Sequence, residues 1–159
     1  MKATELRIGN YVWENYSGEM IIRSIIYNSP VTTHPKDNGS HTIHLSKTLK
    51  LPICGYDISA IKPIPITEEW LLKFGFEKLA NDGRYGYRYY IAIADYWYVI
   101  ERDWRKEQSH FFGIEYTDCP NPKDDHIYHS FTFKIKHIHQ LQNLYFALTN
   151  KELLCNEHI

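Results

Sequence analysis

Hydrophobic residues alternate with smaller or polar ones in several stretches of the chain, which is the period of a β-strand with one buried face. In residues 85–94, Tyr and Ile at odd positions alternate with Gly, Arg, Tyr and Ala. In residues 128–136, Phe131, Phe133 and Ile135 alternate with Ser, Thr and Lys. Residues 20–27 form a run rich in Ile, which is typical of a buried strand. These patterns predict a chain made mostly of antiparallel strands.

Two stretches have helical signals instead. Thr67 is a good N-cap for a short helix, Glu68 and Glu69 suit its positive end, and Gly75 ends it. Residues 138–150 repeat apolar side chains at helical spacing, which predicts a closing helix. Its apolar face would carry Ile138, Leu141, Leu144, Tyr145 and Leu148.

The order of these elements predicts an α+β fold: an antiparallel, β-rich sheet with a barrel-like N-terminal part and a C-terminal helix packed on one face. Few spacings suit a strand–helix–strand crossover, which argues against a parallel sheet. The 159 residues are expected to form a single domain. Its strand-rich part would span residues 1–65, and residues 66–159 would hold the short helix, an antiparallel meander and the closing helix.

Composition and charge narrow the partners that the chain is expected to have. The formal net charge is −1, which argues against nucleic-acid binding because nothing resembles the basic field that binds phosphates. Three Cys stand far apart without a CxxC pair, so neither a disulfide framework nor a zinc knuckle is expected. No apolar stretch approaches the ~18 residues of a membrane span. We therefore expect a cytoplasmic protein with no membrane partner.

The motifs of common enzyme classes are missing from the sequence. There is no Walker phosphate loop, no GxGxxG and no GxSxG elbow. Among the nine His, His41 and His44 would point to opposite faces of a strand. His137 and His139 would share a face, as half of a metal site, only if a strand continued through them. We therefore assign no catalytic residue, no metal ligand and no cofactor.

One spacing keeps an enzymatic alternative open. His44-Leu45-Ser46 has the His-x-Ser spacing of two-histidine phosphoesterases, in which paired His act as acid and base on a phosphodiester. The second candidate, His129, is followed by Thr132, whose spacing puts the hydroxyl on the wrong face. A phosphodiesterase that acts on a cyclic nucleotide with His44 and His129 is thus an alternative hypothesis.

Aromatic residues make up 15% of the chain, and many of them cluster on two neighbouring predicted strands. Rings on a sheet can stack on a base, and an Arg beside them can bind a phosphate. Because a sheet also needs rings in its core, one of its two faces must be structural. We predict a ligand-binding site that is made of Arg84, Tyr85, Tyr87, Arg88, Tyr89 and Trp97.

Three motifs together resemble a known family. They are ELRIGNYV at residues 5–12, IPITEEWLLKFGF at residues 64–76 and HIHQLQNLYFALT at residues 137–149, of which the last is the most specific. They resemble a family of short uncharacterised proteins encoded in bacterial phages, prophages and mobile elements, and the resemblance spans most of the chain. The family has no established activity, so the resemblance transfers no functional residue. Residues 28–40 and 118–125 lie outside the resemblance.

The resemblance implies a phage context, in which small accessory proteins often bind a host molecule. Together with the aromatic stripe and the missing catalytic motifs, it favours a non-catalytic protein that binds and sequesters a nucleotide-derived immune signal of the host, as a counter-defence. Such a protein would act in the bacterial cytosol, and sequestration favours a homo-oligomer because pockets often form between subunits. A protein–protein inhibitor of a host enzyme is a second alternative.

Overall fold

The fold is α+β and consists mostly of antiparallel sheet, as the sequence predicts. The computed structural model describes residues 2–27, 41–48, 54–78, 87–93, 96–103, 108–115 and 131–155. Within these ranges, the backbone alone is described at residues 27, 41, 87–88, 92–93, 96–103, 108–115 and 131–133.

Contacts group the chain into two compact units, and the second is inserted into the first. The first is formed mainly by Met1–Pro65 and His137–Leu154, and the second mainly by Ile66–Lys136. The closing helix therefore belongs to the same unit as the N-terminal strands. The single domain predicted for residues 1–159 stays a prediction.

The first unit holds a curled five-stranded sheet that forms a half-barrel. All neighbouring strands are antiparallel, and their order is β4-β3-β2-β1-β5. Short 3-10 turns at Ala3–Glu5 and Ile58–Ala60 accompany the sheet, and the helix α2 closes the unit. The strands are β1 Tyr11–Glu14, β2 Gly18–Tyr27, β3 His41–Ser46, β4 Cys54–Asp57 and β5 Ile61–Lys62, and α2 spans Ile138–Thr149.

The second unit is an antiparallel meander that follows a short helix. Its strand order, β10-β9-β8-β7-β6, reverses the order of the sequence, so each strand pairs with the next one along the chain. The elements are α1 Glu68–Lys73, β6 Glu77–Lys78, β7 Tyr87–Ile93, β8 Tyr96–Asp103, β9 Gln108–Glu115 and β10 Phe131–Ile135.

Helix α1 begins and ends where its sequence predicts. The Trp70 amide donates a hydrogen bond of 3.3 Å to Thr67 Oγ1, which satisfies one of the donors that a helix leaves free at its start. Gly75 follows the helix with a φ of 83°, a left-handed conformation that costs glycine little. The six-residue helix buries Trp70 and Leu71.

The core of the half-barrel comes from the alternation of its strands. The residues that point inward are aliphatic, and those at the centre are fully buried. They are Leu6, Val12, Met20, Ile22, Ile43, Leu45 and Ile61, with Ile25, Tyr56 and Ile58 packed against them.

The buried face of α2 contains two polar residues beside its apolar ones. Gln142 has no exposed surface, and its Oε1 accepts a hydrogen bond of 2.8 Å from the Tyr11 amide. Its Nε2 donates to the carbonyl oxygens of Gly9 and Leu153, each at 3.1 Å. One amide side chain therefore joins the helix to the start of β1 and to the segment that follows the helix.

Asn143, the next residue of α2, adds a second polar link to the N-terminal segment. Its Oδ1 accepts from Asn10 Nδ2 at 3.0 Å, and its Nδ2 donates to the Glu5 carbonyl at 2.8 Å. Leu148, predicted to lie on the apolar face, is 37% exposed. The buried face of the helix therefore includes Gln142 and leaves Leu148 more exposed than the apolar spacing predicts.

The two chain segments that link the units are paired by backbone hydrogen bonds within each unit. In the first unit, the Ile138 amide donates to the Ile64 carbonyl at 2.9 Å. In the second unit, the Ile66 amide donates to the Lys136 carbonyl at 3.1 Å. In each unit, the two segments through which the chain passes to and from the other unit are therefore hydrogen-bonded to each other.

We expect Gln142→Ala to lower the free energy of unfolding by about 3 kcal/mol, because it leaves the Tyr11 amide and two carbonyls without their buried partner. Urea unfolding followed by far-UV circular dichroism measures the loss. Gln140→Ala is the matched control: Gln140 is half-buried in the first turn of the same helix, and its loss should cost at most about 1 kcal/mol. Equal losses in the two variants would contradict the role given to Gln142.

Candidate functional site

The predicted aromatic site lies on two paired strands of the second unit. Tyr87, Arg88 and Tyr89 belong to β7, and Trp97 belongs to β8, where its backbone pairs with Ala92. Arg84 and Tyr85 lie outside the described residues. The pairing of β7 with β8 brings the predicted positions on these two strands onto neighbouring strands, as the sequence analysis assumed.

Tyr89 lies on the buried face of this sheet. Its side chain is 1% exposed, and its hydroxyl donates a hydrogen bond of 2.9 Å to Glu68 Oε2. The Lys78 ammonium forms an ion pair of 2.8 Å with the same carboxylate. Tyr89 therefore contributes to the packing of this unit, and a ligand would reach its ring only if that packing opened.

The two faces of the sheet can be followed from β7 to the far edge strand, β10. From Tyr89 the register runs through Ile100 and Phe111 to Phe133, so Ile135, two residues further along β10, belongs to the same face. Ile135 is 4% exposed. At the adjacent positions, Tyr90 on β7 is half-buried and Lys134 on the edge strand β10 is exposed. The face that contains Tyr90 and Lys134 is therefore the outer face.

Strand alternation divides the predicted site between these two faces. Arg88 is two residues from Tyr90, and Ala92, the partner of Trp97, is two residues from it on the other side, so all these positions belong to the outer face. The position of Tyr87 belongs to the inner face with Tyr89. The alternation itself was visible in the sequence, but only the burial of Tyr89 and Ile135 tells the two faces apart.

Tyr90 lies on the outer face but is not among the six residues of the predicted site. Its hydroxyl donates a short hydrogen bond to the carboxylate of Glu77 on β6. This hydrogen bond raises the pKa of Tyr90, and burial and the negative charge of Glu77 act in the same direction. The phenol is thus held neutral and in place, beside the edge strand β6.

A hydrogen-bonded Ser–His pair lies on the half-barrel of the first unit. Ser24 Oγ is 2.8 Å from His44 Nδ1, and the two residues are direct partners on β2 and β3. The His-x-Ser spacing pairs His44 with Ser46, but Ser46 is 1% exposed and donates to the Thr48 carbonyl at 2.7 Å. His129, the second residue of the phosphodiesterase hypothesis, lies outside the described residues.

His137 and His139 stand at the start of α2, so the strand continuation that would have put both on one face of a strand is not formed. Their rings are stacked, with centroids 5.6 Å apart and planes 9° apart. His139 is 1% exposed, and neither of its ring nitrogens has a hydrogen-bond partner among the described residues. Within the described residues, no group of three or more His, Cys, Asp or Glu side chains could hold a metal ion.

Comparisons of the chain with protein-family models, with curated proteins and with solved structures find no match. The phage-family resemblance of the three motifs therefore stays a prediction. None of the helices in the described ranges has the length and hydropathy needed to cross a bilayer.

The pKa of His139 is lowered from 6.5 to about 4, mainly by burial and further by the neighbouring His137, whereas Glu5 acts in the opposite direction. Above pH 6.5 the imidazole is neutral in the folded and unfolded chains, so its titration does not change the stability there. As the pH falls from 6.5 to about 4, the unfolded chain takes up a proton that the folded chain does not. The folded state therefore loses up to about 3 kcal/mol over this range.

We expect His139→Leu to remove this pH dependence and to stabilise the protein at about pH 7, because a side chain of similar size replaces two buried nitrogens that lack partners. Urea unfolding of variant and wild type at about pH 7 and about pH 4.5 measures the difference. His137→Gln is the control: it should keep most of the dependence, since burial is the larger cause. An equal loss of stability on acidification in wild type and His139→Leu would rule out this role of His139.

Proposed function

We propose that the protein is a phage-type accessory protein that binds and sequesters a nucleotide-like ligand, without catalysis at that site, on the outer face of the β7–β8 sheet. The observation that carries the proposal is the register of these two strands. It groups the positions of Arg88, Tyr90 and Trp97 on the face where Tyr90 is partly open to solvent. The proposed site keeps Arg88 and Trp97 from the sequence analysis, adds Tyr90, and leaves Tyr89 in the core.

The spacing of these positions suits a flat ligand with a charged end. Arg88 and Ala92 are four residues apart on one strand, which is about 13 Å, and Tyr90 lies midway between them. Aromatic side chains at the positions of Tyr90 and Trp97 would stack on a base, and Arg88 would bind a phosphate beyond it. Such a site needs no catalytic group.

Glu101 gives the proposed site a testable limit on ligand charge. Its backbone pairs directly with Arg88, so it occupies the neighbouring position of the same face. A carboxylate there competes with a phosphate for the guanidinium and repels anions. The face therefore fits a ligand with few negative charges better than a nucleoside triphosphate.

The biological setting of the proposal comes from the phage-family resemblance. A phage protein that sequesters a nucleotide-derived immune signal of the host would counter a defence system, and it would act in the bacterial cytosol. A homo-oligomer would raise the number of sites and could complete each of them with a second copy. A protein–protein inhibitor of a host enzyme would use the same outer face without a small ligand.

The proposal is tested by native mass spectrometry of protein purified from bacterial cells, alone and with a panel of cyclic and ADP-ribose-type nucleotides. We expect a bound mass that is released unchanged on denaturation, and the same spectra give the number of subunits. A smaller product would favour the phosphodiesterase hypothesis. The absence of any bound nucleotide would contradict the proposal and favour a protein partner.

Variants of the outer face are expected to separate this site from the rest of the sheet. Arg88→Ala and Trp97→Ala should each weaken binding of the nucleotide found in the panel by about 10-fold or more, which corresponds to the loss of one stacking or charge contact. Glu101→Gln should strengthen the binding of an anionic ligand. Isothermal titration calorimetry measures the three dissociation constants.

Tyr16→Ala is the control for these variants. Tyr16 is 97% exposed at the turn between β1 and β2 in the first unit, so its loss should leave both fold and binding unchanged. Tyr89→Phe is a second control that removes the hydroxyl bonded to Glu68 and should affect stability rather than affinity. Unchanged affinity in both Arg88→Ala and Trp97→Ala would exclude the outer face as the site.

A further inference from the structure

The pair of Ser24 and His44 has the geometry of a nucleophile with its base. The 2.8 Å separation of Ser24 Oγ and His44 Nδ1 is a good hydrogen-bond distance, and when Nδ1 carries no proton the hydroxyl donates to it. A hydroxyl within reach of an imidazole nitrogen is the arrangement that activates serine for attack. Both side chains are half-buried, so the pair is held by neighbours and still reached by solvent.

Gly55 on β4 forms the surface against which the imidazole rests. It pairs directly with His44, and a Cβ at this position would lie 3.1 Å from His44 Cδ2 and 3.2 Å from Nε2. Distances this short are tighter than ordinary carbon contacts. The imidazole therefore occupies space that a side chain at position 55 would fill, and the close approach of the ring to the backbone fixes its orientation.

An irregularity of β2 directs Ser24 toward His44. The register between β2 and β3 shifts between Ile22 and Ser24, which is a β-bulge or a similar irregularity. A bulge changes the direction of the side chains beside it, and bulges are frequent next to active sites. Ile22 is fully buried, whereas Ser24 faces away from the core and meets the imidazole.

An apolar surface borders the pair on one side. Ile26 lies two residues beyond Ser24 on the same face of β2 and is 45% exposed. Its partner on β3 is Thr42, whose methyl group lies 3.2 Å from the Cβ position of Gly55. Methyl-bearing side chains therefore continue the surface beside the Ser24 hydroxyl.

The geometry points to a second activity on the first unit: acyl transfer from an ester of an apolar carboxylic acid, with Ser24 as nucleophile and His44 as general base. Ser24 Oγ forms a bond to the ester carbonyl carbon, and its proton passes to His44 Nδ1. The carbon–oxygen bond to the alcohol breaks as the alkoxide takes that proton. Water then attacks the acyl-serine with His44 again as base, and the acid and the free serine are regenerated. This proposal and the one for the outer face of the second unit are independent, so a test that rejects one leaves the other unaffected.

Labelling of the full-length protein with a fluorophosphonate tests the inference. Ser24 Oγ attacks phosphorus, fluoride leaves, and the proton passes to His44, so the protein gains one phosphonyl group. We expect intact-mass spectra to show one group per chain, and peptide mapping to place it on Ser24. His44→Gln should slow labelling by about 100-fold, which is typical for the loss of a general base. Ser24→Ala should abolish it.

Gly55→Ala tests whether reactivity depends on the position of the His44 imidazole, and it removes neither reacting group. The added methyl group displaces the imidazole, and labelling should slow by about 10-fold while Ser24 and His44 are both retained. Cys54→Ala, at the neighbouring exposed position of the same strand, is the matched control and should label at the wild-type rate. Wild-type protein that is not labelled at Ser24, or a His44→Gln variant that is folded and labels at the wild-type rate, would overturn the inference.

Discussion

The first unit depends on the hydrogen bonds of one buried amide side chain. Gln142 approaches the backbone of the N-terminal segment from the far end of the sequence and satisfies the Tyr11 amide and the Gly9 carbonyl at the start of β1. Buried backbone groups must be paired, and the ladder described between β1 and β5 pairs only Trp13 and Glu14. The helix thus supplies hydrogen bonds as well as apolar area, and its rotation about its own axis is fixed by this requirement.

The two units of the inserted topology carry different candidate sites. The first unit carries the Ser24–His44 pair on a half-barrel, and the second carries an outer sheet face that contains Tyr90. Each unit pairs its own entry and exit segments by a backbone hydrogen bond at Ile64 or Ile66. The binding function proposed for one unit and the reactivity inferred for the other therefore use different elements of the chain, and a variant of one can be designed without altering the other.

Local sequence signals predicted the elements well, because their causes are local. Thr67 and Gly75 mark the ends of α1 through a side-chain cap and a left-handed residue, and both features depend on neighbouring residues alone. The closing helix, predicted over residues 138–150, spans Ile138–Thr149. Its buried Gln142 was missed because an apolar pattern does not register a polar side chain whose partners lie at the other end of the chain.

The candidate sites were harder to predict because they depend on register. Ser24 and His44 are brought together by the irregularity in β2, which moves the pairing by one residue relative to a regular ladder. In the second unit the alternation was plain, but the choice of the inner face follows from the packing of Tyr89 against Glu68. The Tyr residues of the sequence do not show by themselves which of the two faces of the sheet is buried.

The inserted arrangement also sets an order of events during synthesis on the ribosome. Residues 66–136 of the second unit leave the ribosome as one continuous segment, whereas the first unit needs strands from the start of the chain and a helix that emerges after the whole insertion. Until Gln142 has been translated, the Tyr11 amide and the Gly9 carbonyl must be hydrated. The N-terminal strands therefore lack their helical partner while residues 66–136, which are translated after the strands, can fold first.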